Sequence, residues 1–347
     1  MRPCEYLGDA EAAEWDEYVA AHPRAASYHR YGWRHVVRET FRRETHYLAV
    51  RRDDSARPAI AGVLPLVRLK SALFGDFLVS LPYFTYGGLL ASNDDAAAAL
   101  LKEATALALR LGASHVEFRH REPIDSELPA RTDKVCMLLD LPADPATLWK
   151  QLPSKVRAQI KRPLREGVVT ASGGEELLGD FYAVFARNMR DLGTPVYPMK
   201  FFSAILRAFP AQTRLFVLRL GAEPAAAALV VGFGGLMEIP WASSLRRFNS
   251  LGVNMALYWS VLEYACTSGF RQFDFGRSTV DGGTYRFKKQ WGAQPLQLHW
   301  QYWLRGGGEP PRLNPDNPKY RVAIAAWQRL PLFVANRLGP MLARNLP

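Results

Sequence analysis

The sequence predicts a mixed α/β protein made of two copies of one domain followed by a helical tail. Three observations carry this reading. First, the same order of elements occurs twice: a strand pair, a third strand ending in aromatic or small residues, an apolar helix, a glycine stop, and a strand. Second, Gly112-Ala-Ser-His-Val-Glu-Phe aligns with Gly269-Phe-Arg-Gln-Phe-Asp-Phe at an offset of 157 residues, placing Glu117 over Asp274 and Phe118 over Phe275. A repeat this long means duplication of a whole domain and excludes a solenoid. Third, 347 residues exceed what one hydrophobic core ordinarily serves. The expected boundaries are 1–134, 135–305 and 306–347.

Taken in order, residues 10–42 read as helical, interrupted at His22-Pro23. Strands follow at 47–51 and 59–69, separated by the polar turn Arg52–Arg57, and 78–90 is a third extended run. Residues 94–111 form an Ala/Leu helix with Asn93 or Asp94 as N-cap and Gly112 as stop. Residues 114–120 are the next strand. The second half opens with a strand at 136–141, a short helix at 145–152, and the basic helix KVRAQIKRPLR at 155–165. Amphipathic helices at 175–192 and 199–208 precede strands at 214–220, 225–232 and 236–243. The helix at 253–267 has apolar positions at helical spacing. Then come a strand at 273–276, a basic loop Tyr285-Arg286-Phe287-Lys288-Lys289, and one long strand at 296–304 with period-two alternation.

From about residue 305, GGGEPPRLNPDNP reads as a linker. The following helix places Ala323, Trp327, Leu330, Val334, Leu338 and Met341 on one face. That face either packs back on the second domain or rests on an anionic membrane, since residues 305–347 hold seven Lys/Arg and two Asp/Glu.

Composition narrows the function classes. With 44 Lys and Arg against 33 Asp and Glu, the net charge of +11 favours an anionic partner. Cys4, Cys136 and Cys266 lie far apart with no histidine pair at ligand spacing, which argues against a zinc site or a disulfide framework. The N-terminus is acidic and lacks the apolar stretch of a signal peptide. No run approaches the roughly 18 apolar residues of a membrane span, so the expected location is cytoplasmic, with peripheral membrane contact through the tail.

Three stretches carry a family resemblance: KVRAQIKR at 155–162, FDFGRSTVDGGTYRFKKQWGAQPLQLHWQY at 273–302, and NPKYRVAIAAWQRLP at 317–331. In these the chain resembles the FemAB-type family, tandem acyltransferase domains of the Gcn5-related N-acetyltransferase (GNAT) fold. Within it, the chain is most similar to the FemAB-like proteins associated with exosortase and PEP-CTERM exopolysaccharide gene clusters. The resemblance implies transfer of an acyl group, from acyl-CoA, to an amine on a cell-envelope or exopolysaccharide precursor. The alternatives it leaves are transfer from aminoacyl-tRNA to a peptide bridge, and a non-catalytic adaptor with a degenerate fold. The coiled-coil arm of the peptidoglycan enzymes is absent, because 155–199 shows no sustained heptads.

Acyl transfer to an amine requires a neutral nucleophile, a site for the oxyanion and a route for one proton, and no metal. Lys288, in the YRFKK stretch that resembles the Tyr/Phe-Lys element of Fem enzymes, is expected to steady the oxyanion or bind donor phosphate. Asp274 and Arg277 end a strand beside the helix start where ligands collect. Donor phosphate is expected on Arg246, Arg247, Gly252 and Asn254 at the start of the helix from 253, because helix N-termini favour anions. The matching helix of the first domain begins with acids, which disfavour phosphate. Lys155, Arg157 and Lys161 are candidates for a phosphorylated acceptor. Tyr83, Tyr86, Trp241 and Tyr285 are candidates to wall its cleft. No general base stands out.

Overall fold

A computed structural model of the chain describes residues 2–53, 58–72, 74–124, 126–311 and 318–346. The tip of the expected turn at 52–57 and most of the linker after 308 fall outside these residues.

The chain divides into two compact units. The first begins with β1 (Glu5–Tyr6), α1 (Ala12–Ala21), α2 (Gly32–Phe41), β2 (Thr45–Arg51), β3 (Ile60–Ser71), β4 (Gly75–Val79) and β5 (Leu90–Ala91). It continues with α3 (Asp94–Leu111), β6 (His115–His120) and β7 (Ala130–Arg131). Strands β2, β3 and β4 form an antiparallel meander, and β6 returns parallel to β4 after α3. Asn93 is the N-cap of α3, its side chain accepting from Ala96 N at 2.9 Å, and Gly112 ends the helix in the left-handed region. The helix buries Ala96, Leu100, Ala104, Leu107 and Ala108, at helical spacing, against the apolar faces of β2 and β3.

The second unit holds β8 (Lys134–Asp140), α4 (Pro145–Gln151), α5 (Ser154–Arg165), β9 (Val168–Gly173), α6 (Leu178–Leu192), α7 (Met199–Ala208), β10 (Thr213–Leu220), β11 (Glu223–Phe233) and β12 (Leu236–Ser244). It continues with α8 (Val253–Thr267), β13 (Gln272–Thr279), α9 (Gly283–Lys289) and β14 (Gln294–Gln297). The topology repeats: β10, β11 and β12 form an antiparallel meander, and β13 returns parallel to β12 after α8. The sheet order is β14-β8-β13-β12-β11-β10-β9. Helix α8 is apolar nearly all round, burying Val253, Leu257, Val261, Leu262 and Ala265, so it lies inside the unit and not on its surface.

The last strand, β15 (His299–Leu304), joins the first unit's sheet, antiparallel to β6. That sheet therefore runs β1-β2-β3-β4-β6-β15-β7. The sequence reading had kept 296–304 with the second half as one strand. The chain instead breaks at Leu298, and β14 and β15 go to different sheets. Two other expectations are corrected. The extended run at 78–90 stops at Val79, beyond which Leu81 and Tyr83 take positive φ. The basic stretch at 285–289 is helical, within α9.

The tail forms α10 (Pro318–Gln328) and α11 (Leu332–Ala343), grouped with the second unit and packed on α6. Its inward face differs from the expected one: Ala335, Gly339 and Ala343 are buried, while Leu338 and Met341 are exposed. Among the described residues no helix is long and apolar enough to cross a membrane.

Candidate functional site

The site of interest lies where β12 and β13 part. These parallel strands are paired at Leu236–Gln272, Met237–Phe273 and Glu238–Asp274. Beyond that register β12 runs on for six residues and β13 for five without pairing to each other. Glu238 and Asp274 sit side by side at the last paired position, and both are buried. Burial of two neighbouring carboxylates demands compensating charge and hydrogen bonds.

Lys288 supplies that charge. Helix α9 turns its side chain inward, leaving Lys288 6% exposed while Lys289 beside it points outward. Lys288 Nζ donates to the carbonyls of Gly276 and Arg277, both at 2.9 Å. Gly276 makes this possible: with φ at +78° it swings the backbone out of strand geometry, a conformation a side chain disfavours. Asp274 fixes the same kink, its Oδ1 accepting from Gly276 N at 2.7 Å. Burial brings the Lys288 ammonium down to about 8, against the opposing pull of Asp274 and Cys136; Arg277 lowers it further. Cys136, on β8, is buried against Asp274, and its thiol is pushed well up by burial first and the neighbouring carboxylates second.

A pocket opens one residue away. Phe287 forms part of its wall, with Gln159 and Arg162 of α5, Ser244 at the end of β12, Asn249, and Gly252 and Asn254 at the start of α8. The helix begins without a side-chain cap and without an acid in its first turn, so its first N–H groups have no side-chain acceptor. Gly252 is required twice over: its φ is +81°, and a Cβ there would stand 3.3 Å from the Gln159 carbonyl. Together the N–H groups, Arg162, Asn249 and Asn254 make a surface suited to an anion. The Gln159 side-chain carbonyl Oε1 is buried without a hydrogen-bond partner and offers an acceptor beside them.

The structure brings Lys288, Asp274, Gly252 and Asn254 into this region of the second unit and disperses other expected residues. Arg246 donates to the Asp191 carbonyl at 2.5 Å, and Arg247 pairs with Glu223. Arg157 caps the end of α4 through the Leu152 carbonyl at 2.7 Å. Lys161 lies over the Trp149 ring at 5.6 Å, and Lys155 is exposed. Trp241 is enclosed by Phe201, Phe202 and Tyr197, whose rings meet it edge-on, and so belongs to the core. Tyr285 is buried under Lys289, and Arg277 is exposed at the end of β13. In the first unit, Tyr83 packs on Phe41, and Tyr86 on Tyr28.

The sequence reading missed Glu238, Cys136, Phe287 as pocket wall, and Arg162. Glu238 had a signal: it is a lone acid within an apolar strand. So had Arg162, since α5 buries Val156, Ile160 and Pro163, which puts Gln159 and Arg162 at the edge of the packed face.

Residues 153–289 match the family model described as "Acetyltransferase (GNAT) domain". The chain is 26% identical over 178 residues to a UDP-N-acetylmuramoylpentapeptide-lysine N(6)-alanyltransferase of Weissella viridescens, covering 49% of this chain. It thus spans about half, 53%, of the curated relative it matches. The crystal structure of FemX superposes with a TM-score of 0.65 at 15% identity, over 93% of this chain and all of that one. A tandem GNAT protein from the clavulanic acid biosynthesis pathway superposes at 0.51 and 15%, over 88% of this chain and all of its own. The fold is a tandem GNAT fold; the repeat predicts the duplication and the resemblance implies the GNAT fold.

Proposed function

We propose that the chain is an N-acyltransferase whose second unit binds the acyl donor and carries the reaction. One observation bears most of the weight: a buried lysine ammonium, held by two carbonyls where parallel strands part, beside a pocket built on a helix N-terminus. In the reaction an acceptor amine attacks the donor's acyl carbonyl. The bond from that carbon to sulfur or ester oxygen breaks, and the amine proton leaves on the departing group. An ammonium has three N–H groups, and the two carbonyls engage two of them. The third answers the negative charge that develops on the carbonyl oxygen, and it does so most strongly in a site shielded from water. Asp274 positions this lysine by holding the Gly276 kink. Donor phosphate lies on the α8 N-terminus and Arg162, and Phe287 marks the passage from phosphate to reacting carbon.

The donor on this reading is acyl-CoA, and the acceptor is an amine of a cell-envelope or exopolysaccharide precursor, as the resemblance implies. A second donor, aminoacyl-tRNA, is favoured by the likeness to the Weissella alanyltransferase. Isothermal calorimetry with acetyl-CoA, a longer acyl-CoA and a charged tRNA at two salt concentrations separates them. Micromolar CoA binding lost in Arg162→Ala supports the first donor. Binding of charged tRNA alone, weakening steeply with salt, puts the second first. Binding of none overturns the enzymatic reading in favour of an adaptor.

A further inference from the structure

Helices α10 and α11 pack on α6 and on the residues just after it. A Cβ on Gly339 would stand 2.8 Å from the Val196 backbone nitrogen, and one on Gly193 would stand 2.5 Å from Ile324. Arg190 fastens the junction, donating to the Leu330 carbonyl at 2.8 Å. Burial of a large apolar side chain releases more free energy than burial of alanine or glycine. Yet α11 turns Ala335, Gly339 and Ala343 inward and leaves Phe333 76%, Met341 57% and Leu338 42% exposed. At about 100° per residue, Phe333, Arg337, Met341 and Arg344 fall within an arc of about 80° opposite the buried positions. On α10, Arg321 is exposed beside Val322, itself 71% exposed. From residue 318 to 347 the sequence carries five Lys and Arg and no Asp or Glu.

Apolar side chains interleaved only with cations suit one surface in particular. A sheet of anionic headgroups over acyl chains offers charge and an apolar bed together, with no register to satisfy. We propose that the outward face of α11, extended by Arg321 and Val322, docks the protein on an anionic phospholipid surface. The helix lies in the plane of that surface, Phe333 and Met341 entering the headgroup layer and the arginines lying level with the phosphates. This does not depend on the acyl-transfer reading.

The test is cosedimentation of the full-length chain with vesicles of phosphatidylglycerol and phosphatidylcholine in equal parts, against phosphatidylcholine alone. Binding is expected to the first and not the second, weakening as salt rises. Phe333→Ser with Met341→Ser should lower partitioning by about tenfold or more. Arg321→Glu with Arg337→Glu should remove the preference for anionic vesicles. These positions are exposed, so thermal melts should be unaltered. Equal partitioning to both vesicle types, no partitioning at all, or binding indifferent to the serine pair overturns the proposal. Self-association in ultracentrifugation, abolished by the serine pair while vesicles capture nothing, overturns it in favour of a second copy.

Discussion

Glu117 on β6 and Asp274 on β13 occupy matching places in the two halves of the repeat, but their surroundings have diverged. In the first unit the gap beyond β4 is closed. The chain from Ser80 to Gly88 folds into it, with Ser80 N on the Glu117 carbonyl, Gly87 N on the Arg119 carbonyl, and Arg119 Nη1 on the Phe84 carbonyl at 2.7 Å. Arg119 sits where Gly276 sits in the second unit, bonds Glu117 at 2.6 Å, and stacks on Trp300 at 4.3 Å. In the second unit the acid faces a lysine ammonium that burial brings down to about 8, and the strands stay parted. The helices that follow differ in the same sense: α3 opens with Asn93 as cap and two aspartates, α8 with a bare glycine and no acid. One half holds its carboxylate in an ion pair with Arg119 and sets acids at its helix start. The other holds its buried carboxylate near Lys288 and leaves its helix start without an acid.

The largest expected effect tests the sealed half. Arg119→Met leaves Glu117 buried without its cation, and the pair is 3% and 6% exposed. Chemical denaturation should show a loss of about 3–5 kcal/mol, with acyl transfer per folded molecule unchanged. Next is Lys288→Ala, expected to lower kcat by about 100- to 1,000-fold, measured on protein whose circular dichroism matches the parent. The wild-type rate should also report this lysine's titration. Below about pH 8 the ammonium is present; above it the amine is neutral and cannot offset an oxyanion. So kcat, taken per neutral acceptor amine, should be level on the acid side and decline through about 8, and a rate per neutral amine that climbs there would make Lys288 a base instead. Smaller is Arg162→Ala: donor KM should rise about tenfold with kcat retained, the loss of one charge-assisted contact. Of similar size is Gly252→Ala. A side chain at φ +81° costs about 1–2 kcal/mol, read as a lower melting temperature. The corresponding cap in the first unit, Asn93→Ala, costs about 1 kcal/mol without touching donor affinity.

The duplication was legible because the meander, helix and return strand are each written in local pattern and the glycine stops fall at matching places. The YRFKK and FDFG stretches singled out Lys288 and Asp274, which the structure brings together at the Gly276 kink. What stayed hidden depends on partners distant in sequence. Arg246 and Arg247 precede α8 directly, yet nearer acceptors, the Asp191 carbonyl and Glu223, take them. Arg162 reaches the α8 start because α5 packs on that helix, a tertiary fact that basic composition alone does not disclose. The helical state of 283–289 was masked by its glycines and charges. The tail misled for a related reason: its large apolar face looked like the packing face, whereas close approach to Val196 required glycine and alanine.

The strand beside β6 arrives very late in the chain. His120 Nδ1 hydrogen-bonds Gln301 across a separation of 181 residues. During synthesis the first unit therefore emerges with β6 as an uncovered edge, and it keeps that edge until residues 299–304 have been made. Open edges invite pairing with other chains, and contacts this distant in sequence form slowly. The two halves consequently cannot be matured one after the other, and a cut at residue 135 yields a first fragment that lacks β15. Completion of the N-terminal sheet therefore waits on synthesis of the second unit's strands.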